Sequence, residues 1–170
     1  MALQELYCKM SDNPSKEFIG NLNPVVREQI DKIYSLDKLV LDHTMYPQYA
    51  RFIPLEQKKR ALYCLGHDPC DIHHLFPVLP REGGERYLRF CPLCVREDRE
   101  VYGETYWHRK HQIRNMRICT KHKCMLMESS VSAKSEQSFT FCPAENHIYQ
   151  SDVVFENDPL MIRFAEYLDS

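Results

Sequence analysis

Four residues of this chain have the types and spacing for metal chemistry. Cys91 and Cys94 flank Pro92-Leu93, and Cys119 and His122 flank Thr120-Lys121, with 24 residues between Cys94 and Cys119. Each half is a C-x-x-C/H knuckle, a turn tight enough to aim two ligand atoms at one point. Two knuckles supply the four soft or borderline ligands that tetrahedral zinc takes. Four protein ligands close the tetrahedron and leave no position for water. The expectation is therefore one structural Zn2+ at Cys91, Cys94, Cys119 and His122, with binding energy on the order of 10–16 kcal/mol coming through as folding energy.

Each knuckle follows a short apolar stretch, Tyr87-Leu88-Arg89-Phe90 and Met116-Arg117-Ile118. That is the rhythm of a zinc ribbon with a strand before each knuckle. The long spacer between the knuckles predicts a helical insert around Tyr102 to Gln112. Trp107, the single tryptophan, and Tyr106 are expected to pack against this module, with base stacking as the alternative. His108 and His111, three residues apart, are placed to hydrogen-bond a metal thiolate or a phosphate.

Other cysteines and histidines are weighed against the same chemistry. Cys124 lies close enough to compete as a ligand but, followed by Met125-Leu126-Met127, reads as a buried thiol. Cys64, His67, Cys70 and His73 recur every third residue, yet a helix would rotate them off one face and Gly66 and Pro69 interrupt it. Cys142 and His147 resemble half of a further knuckle, to be completed only by residues outside this chain.

Charge adds a second theme. The 170 residues carry a formal net charge of −2. From Arg81 to Lys123, eleven Lys/Arg face six Asp/Glu, a balance of +5 that leaves −7 on the remainder. Between Trp107 and Lys123 stand Arg109, Lys110, Arg114, Arg117, Lys121 and Lys123 with no acid among them. Cations on a metal-braced module suit a polyanion, and these six are the expected DNA-facing residues. A solvated basic face is the plain alternative.

The remaining sequence predicts an α+β, mostly helical fold. A helical subdomain fills 1–80, the zinc-ribbon-like module 81–128, and a loop, short strand and C-terminal helix 129–170. Residues 3–10 have helical spacing. Asn23-Pro24 starts a helix with the stripe Val26, Ile30, Ile33 and Tyr34. Ser35 begins another through His43, and Pro54 a third that ends at Gly66. Ser129–Ser138 reads as a polar loop, Phe139–Phe141 as a strand, and Asp158-Pro159 opens a helix with Leu160, Phe164, Ala165 and Leu168 on one face. No apolar run approaches the ~18 residues of a membrane span, and the start lacks a signal peptide. With knuckle cysteines in place of a disulfide scaffold, the expected location is the reducing cytoplasm.

Several blocks resemble a known family. Leu39-Val40-Leu41-Asp42-His43-Thr44-Met45-Tyr46-Pro47-Gln48-Tyr49 is similar to the "HTLFPxY" segment of the TniQ/TnsD family. Phe90-Cys91-Pro92-Leu93-Cys94, Tyr102-Gly103-Glu104-Thr105-Tyr106-Trp107-His108-Arg109-Lys110-His111-Gln112 and Ile118-Cys119-Thr120-Lys121-His122 resemble its "yCPxC", "YGExYWxRxHQ" and "vCpxH" blocks, in the same order. The likeness runs from about residue 3 to 127 and makes Cys91, Cys94, Cys119 and His122 the family's zinc ligands. It implies a bacterial, nucleoid-associated target-site selector of cut-and-paste transposons. Such a protein binds DNA, recruits a AAA+ ATPase, and has no reaction centre of its own. Another copy of the chain is a further possible partner. The family's usual N-terminal helix and its later helix-turn-helix readers find no counterpart here, so the chain reads as a fragment or shortened relative.

Two other functions compete. One is a zinc-ribbon interaction module with no nucleic-acid role. The other is a His-metal nuclease built on Trp107-His108-Arg109-Lys110-His111, which would need a metal with open positions.

Overall fold

The structure is a computed structural model, described for residues 22–67, 86–133, 142–149 and 151–170. It is α+β and divides into two compact units, Met1–Glu82 and Gly83–Ser170. The expected helix at 3–10 and strand at 139–141 lie outside the described residues.

In the first unit, Asn23 caps α1 (Pro24–Ile33) by accepting from Val25 N at 3.0 Å, and Pro24 holds the first helical position. The stripe expected on this helix is only partly used. Ile30 packs on the core, but Ile33 is 88% exposed. Next comes α2 (Leu36–His43); Asp31, in place of the expected Ser35 side chain, accepts from Leu36 N.

The His-Thr-x-Tyr-Pro segment has a structural job. Thr44 Oγ1 donates to Val40 O at 2.7 Å and accepts from Tyr46 N at 3.1 Å, ending α2 and starting the short α3 (Tyr46–Ala50). Buried Tyr46 then donates its hydroxyl to Lys58 O in α4 (Leu55–His67). Leu36, Val40, Tyr46, Ala50, Ile53, Ala61 and Leu65 form the core. Full burial of each large apolar chain is worth about 1.5–3 kcal/mol. Gly66 does not stop α4, which continues to His67.

The second unit is organised by β1 (Tyr87–Phe90), which pairs antiparallel with β2 (Met127–Ser132) in the register Arg89↔Glu128 and Phe90↔Met127. Ser129–Ser132, expected as loop, belong to this strand. β1 delivers the chain straight into α5 (Pro92–Tyr102). The helical insert expected around Tyr102–Gln112 is thus corrected. The first knuckle opens onto a helix, and within the expected insert only Arg109–Gln112 form a 3-10 turn. The cause is local. Cys91 is extended and caps the helix, Pro92 occupies its first position, and Gly103 at φ 84° terminates it in the left-handed conformation.

Phe90 and Val95 bury against Ala144 and Ile148, with Trp107 and Met127 packed alongside. The Trp107 indole N–H donates to Cys142 O at 2.8 Å, so packing is its role in the unit. The last helix, α6 (Pro159–Asp169), is capped by Asp158. Its expected apolar face is rotated: Ala165 is buried, but Leu160 and Phe164 are exposed. Carboxylates of this helix are engaged, Glu166 with Lys123 and Asp169 with Lys110 and Thr120.

Candidate metal centre

The two C-x-x-C/H halves reach one point by different routes. Cys91 sits at the end of β1, and Cys94 lies on the first turn of α5. The Cys91 sulfur accepts from Cys94 N at 3.4 Å, so the helix cap and the first ligand pair are the same object. The second half closes a hairpin. Ile118 bridges Met125, Cys119 N donates to Cys124 O at 2.8 Å, and Lys123 N donates to Cys119 O at 2.8 Å. Lys123 completes the turn at φ 54°, a left-handed conformation unusual for a residue with a Cβ.

One ligand atom from each of Cys91, Cys94, Cys119 and His122 falls within 4.8 Å of all the others. His122 Nδ1 lies 3.4, 3.3 and 3.7 Å from the sulfurs of Cys91, Cys94 and Cys119, and the Cys94 and Cys119 sulfurs are 3.7 Å apart. A tetrahedron with metal–sulfur bonds of about 2.3 Å has edges of about 3.7 Å. The spacing of the four donors fits one metal ion at their centre.

Electrostatics point the same way. Hydrogen bonds from Cys119 and Cys94 hold the Cys91 thiol far below its ordinary value, whereas contacts with Cys119 and Cys91 drive Cys94 far above its own. Three buried sulfurs this close cannot all ionise without a countercharge, and a dication supplies it. Cys124 approaches Cys91 Sγ at 3.3 Å but stands outside the four-donor group. Burial first, and then its bond to Cys91, push its thiol up to about 12, so it serves as a protonated neighbour.

Around the donors lies a layer of orienting groups. His122 Nε2, the nitrogen away from the sulfurs, is 3.0 Å from Glu97 Oε1. Such a carboxylate fixes the tautomer and ring plane of a ligating imidazole. His111 Nε2 lies 3.9 Å from Cys94 Sγ, the thiolate contact considered from sequence. His108 Nε2 lies 2.7 Å from Asp98 Oδ2, and its ring stacks on Tyr106 and sits tilted against His111. Buried Asp98 also accepts from Thr105 Oγ1 at 3.0 Å. Cys94, His108 and His111 form a second group of potential donors, but it shares its only sulfur with the first.

Sequence reasoning passed over Glu97 and Asp98. The signal was a helical one, acids three and four residues beyond Cys94, and it was hidden by the helix being placed too late in the chain. Of the other cysteine and histidine candidates, Cys70 and His73 lie outside the described residues. Cys64 and His67 belong to no metal-competent group among the described residues. Cys142 and His147 flank a 3-10 turn whose Ala144 is part of the core.

The six cations expected to face DNA are divided. Lys110, Lys121 and Lys123 pair with Asp169, Glu97 and Glu166. Arg109 is half-buried on the 3-10 turn. Arg114 and Arg117 are exposed, and neither forms an ion pair among the described residues.

The described residues thus define an α+β protein with a buried centre of three cysteines and one histidine that could hold a metal ion. The chain belongs to the TniQ family, whose model matches residues 2–126. It is also 27% identical over 95 residues to the Transposon Tn7 transposition protein TnsD of Escherichia coli. That alignment covers 55% of this chain and 19% of the relative, so the match spans about a fifth of that protein's length. No helix among the described residues is long and apolar enough to cross a membrane.

Proposed function

We propose that the chain acts in transposition as a target-site adaptor, binding DNA and recruiting a AAA+ ATPase to it, with one structural Zn2+ held by Cys91, Cys94, Cys119 and His122. The family match over residues 2–126 carries this reading, because it spans both the helical segment and the donor quartet. Three thiolates and an imidazole are a zinc donor set, and with all four positions filled by protein the ion braces the fold and performs no chemistry.

The adaptor is read as non-catalytic. The nuclease considered from sequence needs a histidine beside a metal with an open position. Here His108 is held by buried Asp98, and His111 lies against Cys94. A second reading, an interaction module that binds no nucleic acid, draws support from the carboxylates already paired with Lys110, Lys121 and Lys123. Mobility shifts of a labelled duplex, with the zinc-loaded chain and after chelation, separate the two. A shift lost on chelation supports the adaptor, and no shift at low salt favours the interaction module. Co-purification with the transposon's AAA+ protein tests recruitment independently.

A further inference from the structure

Arg114 and Arg117 converge with two further arginines elsewhere on the second unit. A groove of about 520 Å³ lies between β1 and the turn that follows Gln112. Its ten lining residues include Arg86, Arg89, Arg114 and Arg117, opposed by one acid, Glu128. The pocket beside the metal centre, by contrast, is charge-balanced, with Lys110 and Lys121 facing Glu97 and Asp98. Two of the four groove arginines, Arg86 and Arg89, are not among the six cations expected to face DNA.

The groove is built, not accidental. Ile113, Met116 and Ile118 are buried and force Arg114 and Arg117 outward between them. Asn115 at φ 62° turns the chain, with Met116 N donating to Ile113 O at 3.0 Å. Arg89 holds this turn from the neighbouring strand, its guanidinium donating to Ile113 O at 2.8 Å and to Met116 O. Gln112 locks the two together. Its amide accepts from Arg89 N at 2.9 Å and donates to Arg89 O at 2.7 Å, pairing with β1 as another strand residue would. Arg89 and Arg117 each stand two residues before a donor cysteine, so the strand and the hairpin arm that carry them both run into the candidate metal centre.

We infer that this arginine groove is where the chain grips the phosphodiester backbone of duplex DNA, with Arg114 and Arg117 as the phosphate-contacting pair and Arg89 as the residue that positions their turn. This rests on the DNA-binding reading above and changes its residues: the arginines bind, and Lys110 and Lys123 hold α6. Guanidinium suits the task, since its planar fork meets phosphate oxygens through two parallel hydrogen bonds. Fixed on a braced turn, the pair loses little freedom on binding.

The test is the salt dependence of affinity for a labelled duplex of random sequence. It compares the full chain, Arg114→Ala/Arg117→Ala and Lys110→Ala/Lys123→Ala, each checked for unchanged zinc content. Each phosphate contact adds about 0.9 to the log–log slope. The arginine variant should lose about 1.8 of that slope and bind more weakly, and the lysine variant should keep the wild-type slope. A chain that binds duplex with the same slope after loss of both arginines overturns the groove and leaves the adaptor reading standing. Failure of the wild-type chain to bind duplex at any salt removes both. Tighter binding to poly-glutamate than to duplex, lost in the arginine variant, would assign the groove to an acidic protein and overturn the DNA assignment.

Discussion

Glu97 Oε1 lies 3.0 Å from His122 Nε2, on the edge of the imidazole opposite the sulfurs. The carboxylate thereby leaves Nδ1 as the donor aimed at the centre. Glu97→Gln should weaken zinc binding about 10–100-fold, read by competition with a chromophoric chelator. A variant with wild-type affinity would make the contact incidental.

Metal stoichiometry separates ligand from neighbour. The wild-type chain should carry one zinc by elemental analysis, and Cys119→Ser should lose it. Cys124→Ser should retain it, because the Cys124 thiol sits 3.3 Å from Cys91 outside the four donors. Chelation should lower the melting temperature and abolish the near-ultraviolet signal of Trp107, which packs on the same unit.

Acid should loosen the second unit through Glu145. Its carboxyl is held below the ordinary value by Arg99 first and by the Thr105 backbone N–H second. A folded-state pKa below the unfolded one contributes stability above the unfolded value of 4.5, and that contribution is lost as pH falls through the folded value. Glu145→Gln should therefore flatten the fall in melting temperature below about pH 5 and lower stability at neutral pH. An unchanged acid limb would contradict the assignment.

Gly103 ends α5 at φ 84° with open space where a side chain would stand. Gly103→Ala should cost about 1 kcal/mol of backbone strain without steric clash. Equilibrium denaturation in urea measures it, and a loss under a few tenths would deny the strain.

The first unit offers a contrast between two apolar residues that look alike in sequence. Leu65→Ala, at a position 2% exposed, should destabilise by about 2–5 kcal/mol. Ile33→Glu, on the solvent side of α1, should stay within about 0.5 kcal/mol.

These contrasts mark what sequence spacing conveys and what it does not. The convergence of Cys91, Cys94, Cys119 and His122 was legible because two short turns fix their geometry locally. Helix starts at Asn23-Pro24 and Asp158-Pro159 were legible for the same reason. The face each helix buries was not. Ile33 and Leu160 fit an apolar stripe, but which side meets the core depends on distant residues. The helix after Cys91 was missed although Pro92 and Gly103 bracket it, because the long spacer was read as placing its helix around Tyr102 to Gln112. Most instructive is the basic segment. Composition counted Lys110, Lys121 and Lys123 with Arg114 and Arg117, and only folding brought Glu97, Glu166 and Asp169 to the lysines and Arg89 to the arginines.

The placement of Arg89 and Arg117, each two positions upstream of a donor cysteine, has a consequence of its own. An ion held between Cys91 and Cys119 would fasten the strand that carries Arg89 to the hairpin that carries Arg117, although it touches neither side chain. Demetallation would part the strand from the hairpin and loosen the turn that presents Arg114 and Arg117, so a stripped protein should lose its grip on duplex along with the order of this unit.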